Sequence, residues 1–177
     1  MKRLIRSVLL LPLTVFLVFA TSCGGNNAAS ANKTASAESP KQSGPQALQH
    51  FAEGYTKAWN SRSPELLASQ FATDGILIIN NGPPAHGRAA IAQVAQNYMS
   101  TFPDMVITMD TLEAGVNGAA YHWTLTGTNS GPGGNGNKVK ISGVEVWQLN
   151  DAGQIRISDG HFNKADYDRQ LGLAARQ

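Results

Sequence analysis

The chain has 177 residues, 14 Lys and Arg against 12 Asp and Glu, a formal net charge of +2 and one cysteine. That length bounds the answer at one globular domain of ordinary size with short extensions. The single cysteine excludes a disulfide within the domain, and the near balance of charge gives no electrostatic case for nucleic acid.

In chain order, Met1-Lys2-Arg3-Leu4-Ile5-Arg6 is a basic start, Ser7 to Ala20 is apolar, and Thr21-Ser22-Cys23 is small. This is the pattern of a secretory signal over residues 1–22. The apolar run falls short of the roughly 20 residues that a spanning helix needs, and Pro12 interrupts it. Phe19-Ala20-Thr21-Ser22-Cys23-Gly24 resembles the bacterial lipobox, in which the cysteine becomes acylated, although Ala20 stands where leucine is usual. Cys23 is therefore the expected lipidation site, which places the protein outside the cytoplasm, anchored to a membrane at the periplasmic side or cell surface. The other reading is ordinary cleavage that leaves a free thiol, a liability in an oxidising compartment. Removing the signal removes Lys2, Arg3 and Arg6 but no acid, so 11 basic residues face 12 acidic ones, a net charge of −1. Residues 23–44 are rich in Gly, Asn, Ala and Ser and contain no aromatic, which predicts a flexible stalk.

Residues 45–174 form the expected domain. Leu48, Phe51, Ala52, Tyr55, Ala58 and Trp59 have helical spacing over Gln46–Asn60. Ser63-Pro64-Glu65 starts a second helix running to about Phe71, by a capping serine and a proline in the first turn. Asp74-Gly75 reads as a turn, Ile76–Ile79 as a short strand, and Asn80-Asn81-Gly82-Pro83-Pro84 as a break. Gly87-Arg88 opens a third helix to about Thr101. Four runs rich in β-branched and aromatic residues come next, Met105–Glu113, Ala119–Thr128, Lys138–Leu149 and Gln154–Phe162, and a short helix over Lys164–Leu171 closes the chain. Helices first and strands afterwards predict an α+β fold with helices on one face of a curved sheet.

That order, with Phe71-Ala72-Thr73-Asp74-Gly75, His86-Gly87-Arg88, Tyr121 to Thr128, Gly143-Val144-Glu145-Val146-Trp147 and Asp151 to Ile155, resembles the SnoaL-like branch of the nuclear transport factor 2-like superfamily. The resemblance implies a cone: a curved antiparallel or mixed sheet packed against three N-terminal helices, with a semi-apolar pocket inside. It implies no cofactor, and a homodimer by analogy. It does not fix activity, because the superfamily holds polyketide cyclases, ketosteroid isomerases, dehydratases and members that only bind or assemble.

Hairpin arithmetic predicts which polar residues face the pocket. If Ser130–Asn137 is the loop, Thr128 lies by Val139, and further down the ladder His122 lies by Glu145. If Asp151-Ala152-Gly153 is the next turn, Leu149 lies by Ile155 and Glu145 by Asp159. One face then carries His122, Thr124, Glu145, Trp147, Asp159 and His161, a set that a one-residue slip would scatter. Glu145, between Val144 and Val146, is the prime candidate: a lone carboxylate there needs a partner or a proton, and His122 and Asp159 are the candidate partners. A strand glutamate reaching solvent or an arginine is the bland alternative.

In ketosteroid isomerases a tyrosine on the first helix and a protonated acid on a later strand stabilise an oxyanion, and an aspartate on the first strand is the base. The resemblance puts the tyrosine at Tyr55 and the acid at Glu145, and lets the base position fall on Ile79, which cannot take a proton. Either the base is elsewhere, with His122, Asp159 or His86 as candidates, or this isomerase chemistry is absent, and the departure argues against isomerase. SnoaL-like cyclases use a carboxylate and a histidine, for which Glu145 and His122 are the candidates. The expected catalytic set is thus Glu145, His122, Asp159 and Tyr55, with Trp59, Tyr98, Thr124, Trp147 and His161 contacting ligand. Trp59 and Tyr98 also have the spacing of core residues, and His86 and Arg88 read as helix-start geometry. No tight metal-ligand spacing is present, so no metal is expected. The expected partners are a small organic ligand and the membrane. The preferred reading is a tethered ligand-binding lipoprotein; the alternative is a cofactor-free cyclase, isomerase or dehydratase acting on a small carbonyl compound. A pocket for such a ligand calls for about 300 Å3 or more.

Overall fold

Pro45 at the first turn and Ala52, Tyr55, Ala58 and Trp59 buried along one face build α1 (Pro45–Asn60). The computed structural model describes residues 44–173, so the expected signal, Cys23 and the stalk up to residue 43 lie outside the described residues. Among the described residues no helix is long and apolar enough to cross a membrane. Ser63 caps α2 (Pro64–Ala68), its side chain accepting from Leu66 N at 3.1 Å.

The second helix is shorter than expected, and the strand after it is longer. β1 spans Phe71–Ile79, and Asp74-Gly75 is a bulge inside it rather than a turn before it. A Cβ on Gly75 would sit 3.0 Å from both Ile155 O and Phe71 Cβ, so the bulge is a close approach that suits glycine. Asn80 and Asn81, at φ 49° and 57°, then turn the chain into β2 (Ala85–His86) and α3 (Gly87–Thr101). The Arg88 guanidinium donates twice to Phe71 O, at 2.9 and 2.8 Å, and ties the start of α3 to the start of β1.

The remaining strands are β3 (Val106–Gly115), β4 (Gly118–Thr128), β5 (Lys138–Leu149) and β6 (Ile155–Phe162). Asn163 caps α4 (Lys164–Leu171), which stops at Gly172 in the left-handed region. The six strands form one mixed, curved sheet in the order β2-β1-β6-β5-β4-β3, with β1 and β6 parallel and every other pair antiparallel. This is the expected α+β cone. α1 packs against β3, and α3 against β1 and α2.

The core between helices and sheet is aromatic. Tyr55 is fully buried, edge-on to Trp147 (4.9 Å between centroids), Tyr121 (5.4 Å) and Trp59 (6.4 Å). Tyr121 stacks flat on Trp147 at 4.8 Å and 15°. Each such ring contributes about 1.5–3 kcal/mol by burial alone.

Candidate functional site

The inner face of the sheet is set by where the β4–β5 hairpin closes. Asn129 N donates to Asn137 O, Thr128 pairs with Lys138, and the ladder puts Tyr121 opposite Glu145 and His122 opposite Val144. This is one residue out of the expected register. Between β5 and β6 the expected Leu149–Ile155 pair is present, but a bulge between Gln148 and Leu149 shifts every pair beyond it. Glu145 therefore faces Gly160, while Asp159 pairs with Val146 and His161 with Val144. Because side chains alternate, each one-residue shift changes the face.

Four expected site residues consequently stand on the outer face. His122 is 3.5 Å from Glu113, and Thr124 hydrogen-bonds Asp110 and Ser142 at 2.7 Å each. His161 and Asp159 contact each other at 3.1 Å with both side chains about two-fifths exposed. The expected Glu145–His122 and Glu145–Asp159 partnerships do not form.

Glu145 itself is buried, 7% exposed, on the inner face. Three donors converge on its Oε2: Ser158 Oγ at 2.6 Å, Tyr55 Oη at 2.7 Å and Trp147 Nε1 at 3.2 Å. Tyr55 comes from α1, Trp147 from two residues along the same strand face, and Ser158 from β6. Burial pushes the Glu145 carboxyl above the usual carboxylate range, and the hydrogen bonds from Ser158, Tyr55 and Trp147 pull against that shift. Burial also drives the Tyr55 phenol well up, reinforced by the Glu145 charge beside it. Oε1 accepts no hydrogen bond among the described residues, and it is not among the atoms fully sealed from solvent.

Glu145 opens on a hollow whose wall includes Trp59, Tyr98, Tyr121, Trp123, Ile79 and Phe162. Trp147 supports the carboxylate but does not line the hollow. The Tyr98 phenol is pushed up to about 12 by burial, so it stays neutral. The cavity volume is about 40 Å3, well below the expected size. At about 10–15 Å3 per water, that is space for about three waters or one compact group. Ile79, where the resemblance places the isomerase base, is part of the wall. Among the described residues no cluster of three or more His, Cys, Asp and Glu is arranged to hold a metal.

Sequence reasoning misses Ser158, Tyr121, Trp123 and Phe162. The signal for two of them is present: Ala119, Tyr121, Trp123 and Leu125 alternate as one apolar row, whose partner face holds His122 and Thr124. The strand's own period thus contradicts the hairpin count. Trp123 Nε1 is fully buried without an acceptor, and its ring lies over Gly143, where a Cβ would come within 2.5 Å of it.

With fold and hollow established, the comparisons are consistent with them. The family model for the SnoaL-like domain matches residues 52–157, and the chain belongs to that family. No curated protein matches the chain. Among solved structures it is similar to TsrD from Streptomyces laurentii, at 19% identity and TM-score 0.65 over 75% of this chain and 99% of the other. It is also similar to a protein of ketosteroid isomerase-like fold from Catenulispora acidiphila, in complex with trimethylamine, at 16% identity and TM-score 0.64 over 72% and 95%. A third is PhzB2, a phenazine biosynthesis-related protein from Pseudomonas aeruginosa, at 16% identity and TM-score 0.55 over 76% and 95%. These likenesses establish the nuclear transport factor 2-like fold.

Proposed function

We propose that this chain is a membrane-tethered SnoaL-like lipoprotein whose domain binds a compact organic molecule in the hollow beside Glu145. The observation that carries the reading is the bare Oε1 of a buried carboxylate, presented to an otherwise largely apolar wall. A carboxylate oxygen that has no protein partner and opens only on an aromatic hollow keeps its hydrogen-bonding and charge capacity for whatever enters there. Native mass spectrometry of the purified full chain tests this. A small adduct held by the wild type and lost in Glu145→Gln is expected; an adduct retained equally by both removes Glu145 from the site.

The tether rests on the Phe19–Gly24 pattern and Cys23. Cys23→Ser is expected to move the protein from the membrane fraction to the soluble one. A variant that still sediments with membranes refutes the anchor.

One observation favours a second reading, a cofactor-free cyclase, isomerase or dehydratase: the 2.7 Å Tyr55–Glu145 hydrogen bond pairs the two groups that the isomerase resemblance singles out. Since Ile79 occupies the base position and His122 and Asp159 are on the outer face, proton transfer in that reading centres on Glu145, the one carboxylate in the wall of the hollow. Turnover of a carbonyl substrate is expected to be lost in Glu145→Gln, and turnover that survives unchanged removes Glu145 from the mechanism.

A further inference from the structure

The chemistry of the hollow narrows the guest further, on the footing that the hollow is a binding site as proposed above. Five of its wall residues are aromatic: Trp59 from α1, Tyr98 from α3, Tyr121 and Trp123 from β4, and Phe162 from β6. They meet as corners rather than as a flat stack, with Trp59 against Tyr98 at 6.2 Å and 88°, and Trp123 against Phe162 at 6.1 Å and 67°. No lysine, arginine or histidine is in the wall, and among the described residues none pairs with Glu145.

The neutral donors on Oε2 solvate a carboxylate but do not cancel its charge. Ionised, Glu145 is an uncompensated anion inside an aromatic box. Ring faces carry negative potential and attract cations, most strongly where water is excluded. A metal ion does not suit the box, because hard cations need several oxygen ligands and here one bare oxygen is offered. An alkylated ammonium suits it better, since its methyl groups pack on rings and its positive charge meets the carboxylate. The size agrees as well: about 40 Å3 is room for a compact head group.

We propose that the hollow receives a compact organic ammonium cation, its charge set against Glu145 Oε1 and its alkyl groups against the surrounding rings.

Choline and 3,3-dimethylbutan-1-ol have the same shape and differ in having a charged nitrogen or a neutral carbon at the centre. Calorimetric titration of the purified full chain with each therefore isolates the charge without any mutation. Choline is expected to bind saturably and at least about tenfold more tightly than its neutral twin. Glu145→Gln is expected to abolish that preference. The titratable groups around Glu145 are Tyr55, Tyr98 and Tyr121, all held neutral, so the proton on Glu145 is the competitor and choline affinity falls as the pH is lowered. Equal or tighter binding of the neutral twin, or no saturation by choline, overturns the proposal. Cyclohexanone, monitored by tryptophan fluorescence, separates the two levels of failure. If it binds where choline does not, the cation is wrong and the pocket stands. If all three leave the fluorescence unchanged, the binding reading falls with it.

Discussion

Glu145 carries an internal conflict, because burial favours its neutral form while three donors on Oε2 favour the ionised one. Burial is the larger effect, so the folded chain holds this proton to higher pH than the unfolded chain does. The stability linked to the group is complete below the ordinary glutamate value of about 4.3 and is lost as pH rises through the raised folded value. Melting temperatures of the wild type and Glu145→Gln, compared from about pH 8 down to about pH 5, should show the wild type gaining on the variant. A gap that stays constant over that range means the carboxyl does not titrate in the fold. Tyr55→Phe removes one donor and should cost on the order of 1–2 kcal/mol in urea unfolding, without changing the fold.

The strands show what sequence makes legible and what it hides. β5 and α4 are legible to the residue, since Lys138–Leu149 is framed by a Gly/Asn loop and an Asp-Ala-Gly turn, and Asn163 announces the helix after it. Glu145 and Trp147 share a face by their spacing alone, because they sit two apart on one strand. The neighbours of that face are not legible. They depend on where a nine-residue loop closes, between Asn129 and Asn137, and on a bulge at Gln148 that no residue type marks. β1 is foreshortened in sequence for a similar reason: Asp74-Gly75 is turn chemistry by composition, and only pairing with β6 keeps it in a strand. Gly143 reports on the same geometry. Its hydrogen faces the Trp123 ring and His161 O, so Gly143→Ala forces one of them to move. The expected cost is about 1–3 kcal/mol by denaturant unfolding, with a changed tryptophan emission. An unaltered spectrum would place Trp123 elsewhere.

At the scale of the whole domain, the strand order decides how the pieces depend on one another. β6 lies between β1 and β5, although nearly the whole domain separates β1 from β6 in the chain. α4 comes directly after it and fastens the end of the sheet: Tyr167 packs on Phe162 and Phe102, and Gln170 bonds the Lys140 backbone in both directions. A chain stopped at Asn150 therefore lacks a central strand rather than an outlying one. It is expected to show little native circular dichroism and to aggregate, since β1 and β5 would both present unpaired edges. A soluble, folded fragment of that length would mean that the sheet does not need its closure.

That placement sets a timetable. Ser158, the nearest of the donors to Glu145, is on the last strand to be synthesised, so until then the acid is one hydrogen bond short and the hollow has no floor. Closing the sheet pairs β1 with β6, segments distant in sequence, and pairings of that kind are intrinsically slow to form. A protein built this way completes its binding wall only when the last strand, which carries Ser158, Gly160 and Phe162, is in place.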